Sequence, residues 1–130
     1  MQNNCCCGHK PLELKIKQGE SIGFAFSLSK NGAPVDLTTA TMTMQVRETP
    51  EDTGVYLINK SISTGTDSES EGVIISPEQG KFFFKVNAAD IADLSTTKPY
   101  FVAIYHTQDN VTNCISANNF QVARFLVLNP

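Results

Sequence analysis

The sequence predicts a single all-β sandwich domain, and three observations carry that reading. Apolar and polar residues alternate with a period of two over most of the chain. Turn-forming residues interrupt the alternation about every ten residues, which divides it into roughly seven to nine short strands. Helical patterning is confined to one stretch, so the helices that a parallel sheet needs between its strands are missing. A chain of 130 residues, 41% hydrophobic and 18% charged, is long and apolar enough for one core of its own.

Leu12, Leu14 and Ile16 alternate with Glu13, Lys15 and Lys17, the pattern of a half-buried strand. After Gln18-Gly19-Glu20, Ile22, Phe24, Phe26 and Leu28 alternate with small residues. Asn31-Gly32 then predicts a tight hairpin, because both positions of a primed turn need positive φ. Pro34 keeps the following link out of a central strand. Met42, Met44 and Val46 form one face of the next strand, and their periodicity places the two methionines in the core. The polar cluster 48–54 turns the chain into a strand expected over Val55 to Ile62. Residues 63–72 read as a long exposed loop rich in Ser, Thr and Gly.

Val73 to Ile75 and Lys81 to Val86 are the next strands, separated by a turn at Pro77 to Gly80. Alternation turns Phe82 and Phe84 inward, so Phe83 is the surface aromatic among the three. Asn87 has the chemistry of an N-cap, and a short helical turn is expected near 88–94. Tyr100 to His106, Thr112 to Ile115 and Phe120 to Leu128 complete the set, with turns at Gln108-Asp109-Asn110 and Asn118-Asn119. The domain is expected over 12–130, preceded by a Cys-rich arm at 1–11.

Composition excludes several function classes. The net charge is −3, with Lys and Arg scattered, so no nucleic-acid or anionic-membrane partner is expected. No run reaches the roughly 18–20 apolar residues of a membrane span. The first residues lack the charged and apolar regions of a secretory signal, which points to a reducing compartment or a particle assembled there. Three adjacent cysteines and a distant fourth do not make a disulfide framework.

Catalysis is not expected. The two histidines, His9 and His106, lie in the terminal segment and in an apolar strand, and no phosphate-binding glycine loop is present. Cys5, Cys6, Cys7 and His9 offer zinc-compatible ligands, to which the fold could add Cys114; the spacing is poor, because adjacent cysteines rarely share one tetrahedral ion. A partner-docked arm and an intermolecular disulfide are the other readings of that segment. Asp67, Glu69 and Glu71 lack the spacing of a calcium loop and read as solvation. No cofactor is expected.

Gly19-Glu20-Ser21, Phe24 to Leu28, and above all Asn31-Gly32-Ala33-Pro34-Val35-Asp36-Leu37-Thr38 form the most specific pattern in the chain. Gly80 to Val86, Ala89 to Leu94 and Tyr100 to Ile104 extend it. With these segments the sequence resembles the immunoglobulin-like domains of phage virion proteins, including the N-terminal domain of baseplate upper proteins and related small tail and capsid accessory proteins. The resemblance covers most of 12–128 and departs from the pattern at Asn118-Asn119-Phe120, where such domains place a glycine. The Cys-rich start has no counterpart in it.

The resemblance implies an immunoglobulin-like antiparallel sandwich and a non-enzymatic structural or adaptor protein of a tail, collar or baseplate. Its partners would be other virion proteins and further copies of itself, assembled in the host cytoplasm. Capsid decoration is the alternative placement. A carbohydrate- or surface-adhesion module is the alternative of another class, with Tyr56, Tyr100 and Tyr105 as its tyrosines and no Trp to help. A small metal-binding protein is the third. For an assembly protein the expected contacts are Cys5, Cys6, Cys7, His9, Lys10 and Pro11 of the arm, Phe83, and the open sheet edges.

Overall fold

A computed structural model describes residues 13–49, 51, 54–65, 67–68, 71–114 and 123–129. In chain order the strands are β1 (Glu13–Lys17), β2 (Ile22–Ser27), β3 (Ser29–Lys30), β4 (Ala33–Pro34), β5 (Thr41–Arg47) and β6 (Ile58–Ser63). They continue as β7 (Asp67–Ser68), β8 (Gly72–Ser76), β9 (Lys81–Val86), β10 (Tyr100–Gln108), β11 (Val111–Cys114) and β12 (Ala123–Leu128). The only helical pieces among the described residues are 3₁₀ turns at Pro77–Gln79 and Ala88–Ile91. The chain is all-β, as its alternation predicts.

One sheet has the order β1-β12-β10-β5-β6, with β11 paired to the second half of β10. Its β1–β12 pair is parallel, and the remaining pairs are antiparallel. The other sheet has the order β2-β9-β8-β7, all antiparallel. β3 and β4 close a separate hairpin on Asn31 and Gly32, whose φ values of 54° and 82° are those a primed turn requires. Asp109 and Asn110 do the same between β10 and β11, at 55° and 66°.

The inward rows of both sheets feed one core. Leu14, Ile16, Met42, Met44, Val46, Val102, Ile104, Phe125 and Val127 come from the first sheet, and Ile74, Phe82, Phe84 and Val86 from the second. Aromatic rings join the layers: Phe24 on β2 meets Phe125 on β12 edge to face at 6.3 Å. Phe26 stacks on Phe82 at 5.4 Å, and Phe82 meets Phe84 edge to face at 5.8 Å. This is a sandwich-like arrangement.

Three local expectations are corrected. The strand expected from Val55 begins only at Ile58; Gly54 turns the chain with φ 81°, and Tyr56 is drawn onto the Arg47 guanidinium, so Val55 and Leu57 stay exposed. The loop expected over 63–72 contains β7, which pairs with β8. The helical turn near 88–94 is a single 3₁₀ turn, Ala88–Ile91, capped reciprocally by Asn87 and Asp90. The arm at 1–11 and the Asn118-Asn119 turn lie outside the described residues.

Candidate functional site

The polar chemistry of the described residues is concentrated on the outer faces and edges of the two sheets. On the outer face of the first sheet, β5 presents Thr43, Gln45 and Arg47, and β10 presents Phe101, Ala103 and Tyr105 in register beside them. Arg47 Nη2 donates to Gln45 Oε1 at 3.0 Å and to Tyr105 Oη at 2.6 Å. Its guanidinium lies 5.9 Å from the Tyr56 ring centre and 6.0 Å from that of Tyr105. The result is an arginine held between two tyrosines and only 5% exposed, on a face where its neighbours are half-buried. Ala103 shares that face and is itself buried.

The second buried charge is Lys60. It falls on the inward row of β6 between Ile58 and Ile62, and its ammonium reaches Asp90 Oδ2 at 2.8 Å. The same oxygen accepts the Asn87 N–H at 2.8 Å, so one carboxylate caps the 3₁₀ turn and neutralises the lysine. β6 is also an edge strand, and its Ser61 N–H donates to Glu71 Oε1 at 2.7 Å. Glu71, weighed in the sequence as part of a loop acidic cluster, thus closes part of the β6 edge. Lys85 N in turn donates to the Glu71 carbonyl at 2.9 Å.

His106 continues the inward row of β10 but is only half-buried. Its Nε2 lies 2.9 Å from Gln108 Oε1, while Gln108 Nε2 donates to the Asp36 carbonyl at 3.1 Å and to Thr39 Oγ1 at 3.0 Å. With the Gln108 amide oriented by those two acceptors, its oxygen faces the ring and His106 donates. The group ties the link after β4 to the end of β10, which is a structural task. Asp36 is held below the usual carboxylate range by the Thr38 hydroxyl and then by the Thr38 N–H.

Phe82 and Phe84 point inward, and Phe83 is the outward, half-buried aromatic that the alternation predicts. Its neighbours on that face are Ala25 on β2 and Val73 on β8. The ring leans over Gly23, where an added Cβ would lie 2.9 Å from Phe83 Cδ2. Phe83 therefore covers an edge-strand glycine, in the manner of aromatic rescue. Cys5, Cys6, Cys7, His9, Lys10 and Pro11 lie outside the described residues. Cys114 ends β11 opposite Tyr105.

Sequence reasoning passed over Arg47 and Lys60. A lysine in phase with two isoleucines was the available signal for Lys60, whereas the packing around Arg47 comes from Tyr56 across a turn and from Tyr105, 58 positions away. No protein-family model and no curated protein matches this chain.

Proposed function

We propose that the chain is an immunoglobulin-like sandwich acting as a non-enzymatic structural or adaptor component of a bacteriophage virion, in the tail, collar or baseplate. It would work through protein–protein contacts made by its faces and edges in a symmetric assembly. The observation that carries the fold half of this reading is the strand order: a five-strand path with a parallel first strand, facing a sheet built from β2, β9 and β8. Tyr100 adds to it. This buried tyrosine opens β10, and its hydroxyl accepts the Ser95 N–H at 2.7 Å, the geometry of a tyrosine corner.

The virion half rests on the resemblance carried by Asn31 to Thr38 and Gly80 to Val86. The engagement of Arg47, Lys60 and His106 in structural pairs agrees with it, since each is bound into the fold. Mass spectrometry of purified particles encoding this chain tests the role. Many copies per particle are expected, and absence from intact virions would sink it. Negative-stain images then separate six- or twelve-fold tail rings from the three- or six-fold contacts of capsid decoration.

One observation favours an adhesion module as a second reading: Tyr56, Arg47, Gln45 and Tyr105 gather aromatic and polar groups on one sheet face. A glycan array decides it, since binding lost in Tyr105→Ala would support adhesion and a blank array would remove it.

A further inference from the structure

We propose that the free edge of β2 is a self-association site, where a second copy of this chain adds its own β2 antiparallel to the first. Such a contact would belong to the isolated chain and hold with or without a virion role. Exposed strand edges template pairing unless something blocks them, and the edges of this fold differ in what blocks them.

Among the described residues the long edges are guarded in different ways. β1 places the charges of Glu13, Lys15 and Lys17 along its outward row, the common guard of an exposed edge. β6 carries the inward-pointing Lys60, and Glu71 occupies its Ser61 N–H. β8 is partly covered by β7 and has a register break between Ile74 and Ser76. β11 is only four residues long.

β2 has none of these guards. It runs Ile22-Gly23-Phe24-Ala25-Phe26-Ser27, six residues without charge or proline, and its ladder with β9 is unbroken. No described strand pairs with its other side. Ile22, Phe24 and Phe26 pack on the core yet remain half-buried, which leaves apolar surface along this edge for a partner to cover. Its outward row, Gly23, Ala25 and Ser27, is small and offers no steric block.

A second β2 is a chemically matched occupant. Among the antiparallel two-fold registers that keep the inward rows together, those with Phe24 opposite Phe24 or Ala25 opposite Ala25 pair the most residues of the strand. Both bring the aromatic rows of two copies side by side, and neither opposes charged residues within the paired strands. In the Ala25-centred register the nearest like charges are Lys85 of one copy and Lys81 of the other, in one row across both β2 strands. Three strand spacings put them about 14 Å apart, beyond a Debye length of about 8 Å.

Analytical ultracentrifugation of the whole chain tests this, under reducing conditions to exclude cysteine cross-links. The wild-type chain should form dimers at about 100 μM, a concentration that weak strand-pairing interfaces reach. Ala25→Lys puts a charge in the contact in either register and should weaken dimerisation at least about tenfold. Ala25 is exposed, so the variant should keep the wild-type circular dichroism, and Ala25→Ser should keep the dimer. A monomeric wild type, or an Ala25→Lys variant that dimerises as tightly, would overturn the proposal. A monomeric chain that is nevertheless abundant in virions would remove the β2 contact and leave the virion role standing.

Discussion

Lys60 lies with its aliphatic stem between two isoleucines while its ammonium meets Asp90 across the layers. Losing one partner of a buried pair costs more than losing the pair, because a charge stays behind without water. Asp90→Asn should therefore destabilise the fold by about 3 kcal/mol, read as a lower urea midpoint at unchanged slope. Lys60→Met leaves a carboxylate that is partly exposed and still caps the turn, so it should cost under about 1 kcal/mol. The reverse order would show that the ammonium, and not its pairing, holds the turn. Lys98 and Glu48 make the exposed counterpart at 2.7 Å. The Lys98 hydrogen bond, then its charge, lowers the Glu48 pKa, and the bond to Glu48 raises that of Lys98. The Glu48 contribution is thus full above the ordinary carboxylate range and fades as pH falls through its lowered folded value. That of Lys98 is present below the ordinary lysine value and fades as pH rises through its raised one. Thermal melts at about pH 6 and about pH 3 should show a slightly smaller acid loss in Glu48→Gln than in wild type. An identical loss would mean solvent screens the pair completely.

β9 shows at the scale of an element how much alternation alone determines. Three consecutive phenylalanines carry no composition signal to tell them apart, yet a period of two sends the outer pair inward and the middle one out. Phe84→Ala should cost about 4 kcal/mol, since the ring is fully buried among Phe26 and Phe82. Phe83→Ala should cost about 1 kcal/mol, the loss of a half-covered ring resting on Gly23. Chemical denaturation of the two variants measures the gap, and equal costs would refute the assignment of faces. The same periodicity located β2, β5 and β10, and Asn-Gly chemistry located the β3–β4 hairpin. It misplaced the start of β6: Val55 and Leu57 read as strand residues but fall out of phase with the inward Ile58 and Ile62, and Gly54 and the Tyr56–Arg47 stacking hold them off the sheet. It also missed β7, two residues paired with Val73 and Gly72 of β8. Gly72, at φ 128°, approaches β9 so closely that an added Cβ would lie 2.1 Å from the Phe83 oxygen. Such approaches are tertiary facts with no local signature beyond a glycine.

At the scale of the molecule, the arrangement of layers was legible and the candidate contacts were only partly so. The alternation says which residues face a core but not which strand ends a sheet, so the open β2 edge and the guarded β6 edge emerge from topology. The Arg47 cluster likewise joins residues 58 positions apart. What holds the layers together is apolar: among the described residues the core is built from Leu, Ile, Val, Met, Ala, Phe and Tyr. The chain also carries four cysteines, and whether a cross-link adds to that core is open to measurement. A disulfide that stabilises a fold typically contributes 2–4 kcal/mol, and for a domain of this size each kcal/mol moves the melting temperature by roughly 3–5 °C. If the fold rests on its core, calorimetric melting temperatures with and without reductant should agree within about 1 °C. A fall of roughly 10 °C on reduction would show instead that a cysteine cross-link belongs to the folded state. Non-reducing gels run on the same samples would tell whether that link lies within one chain or between two.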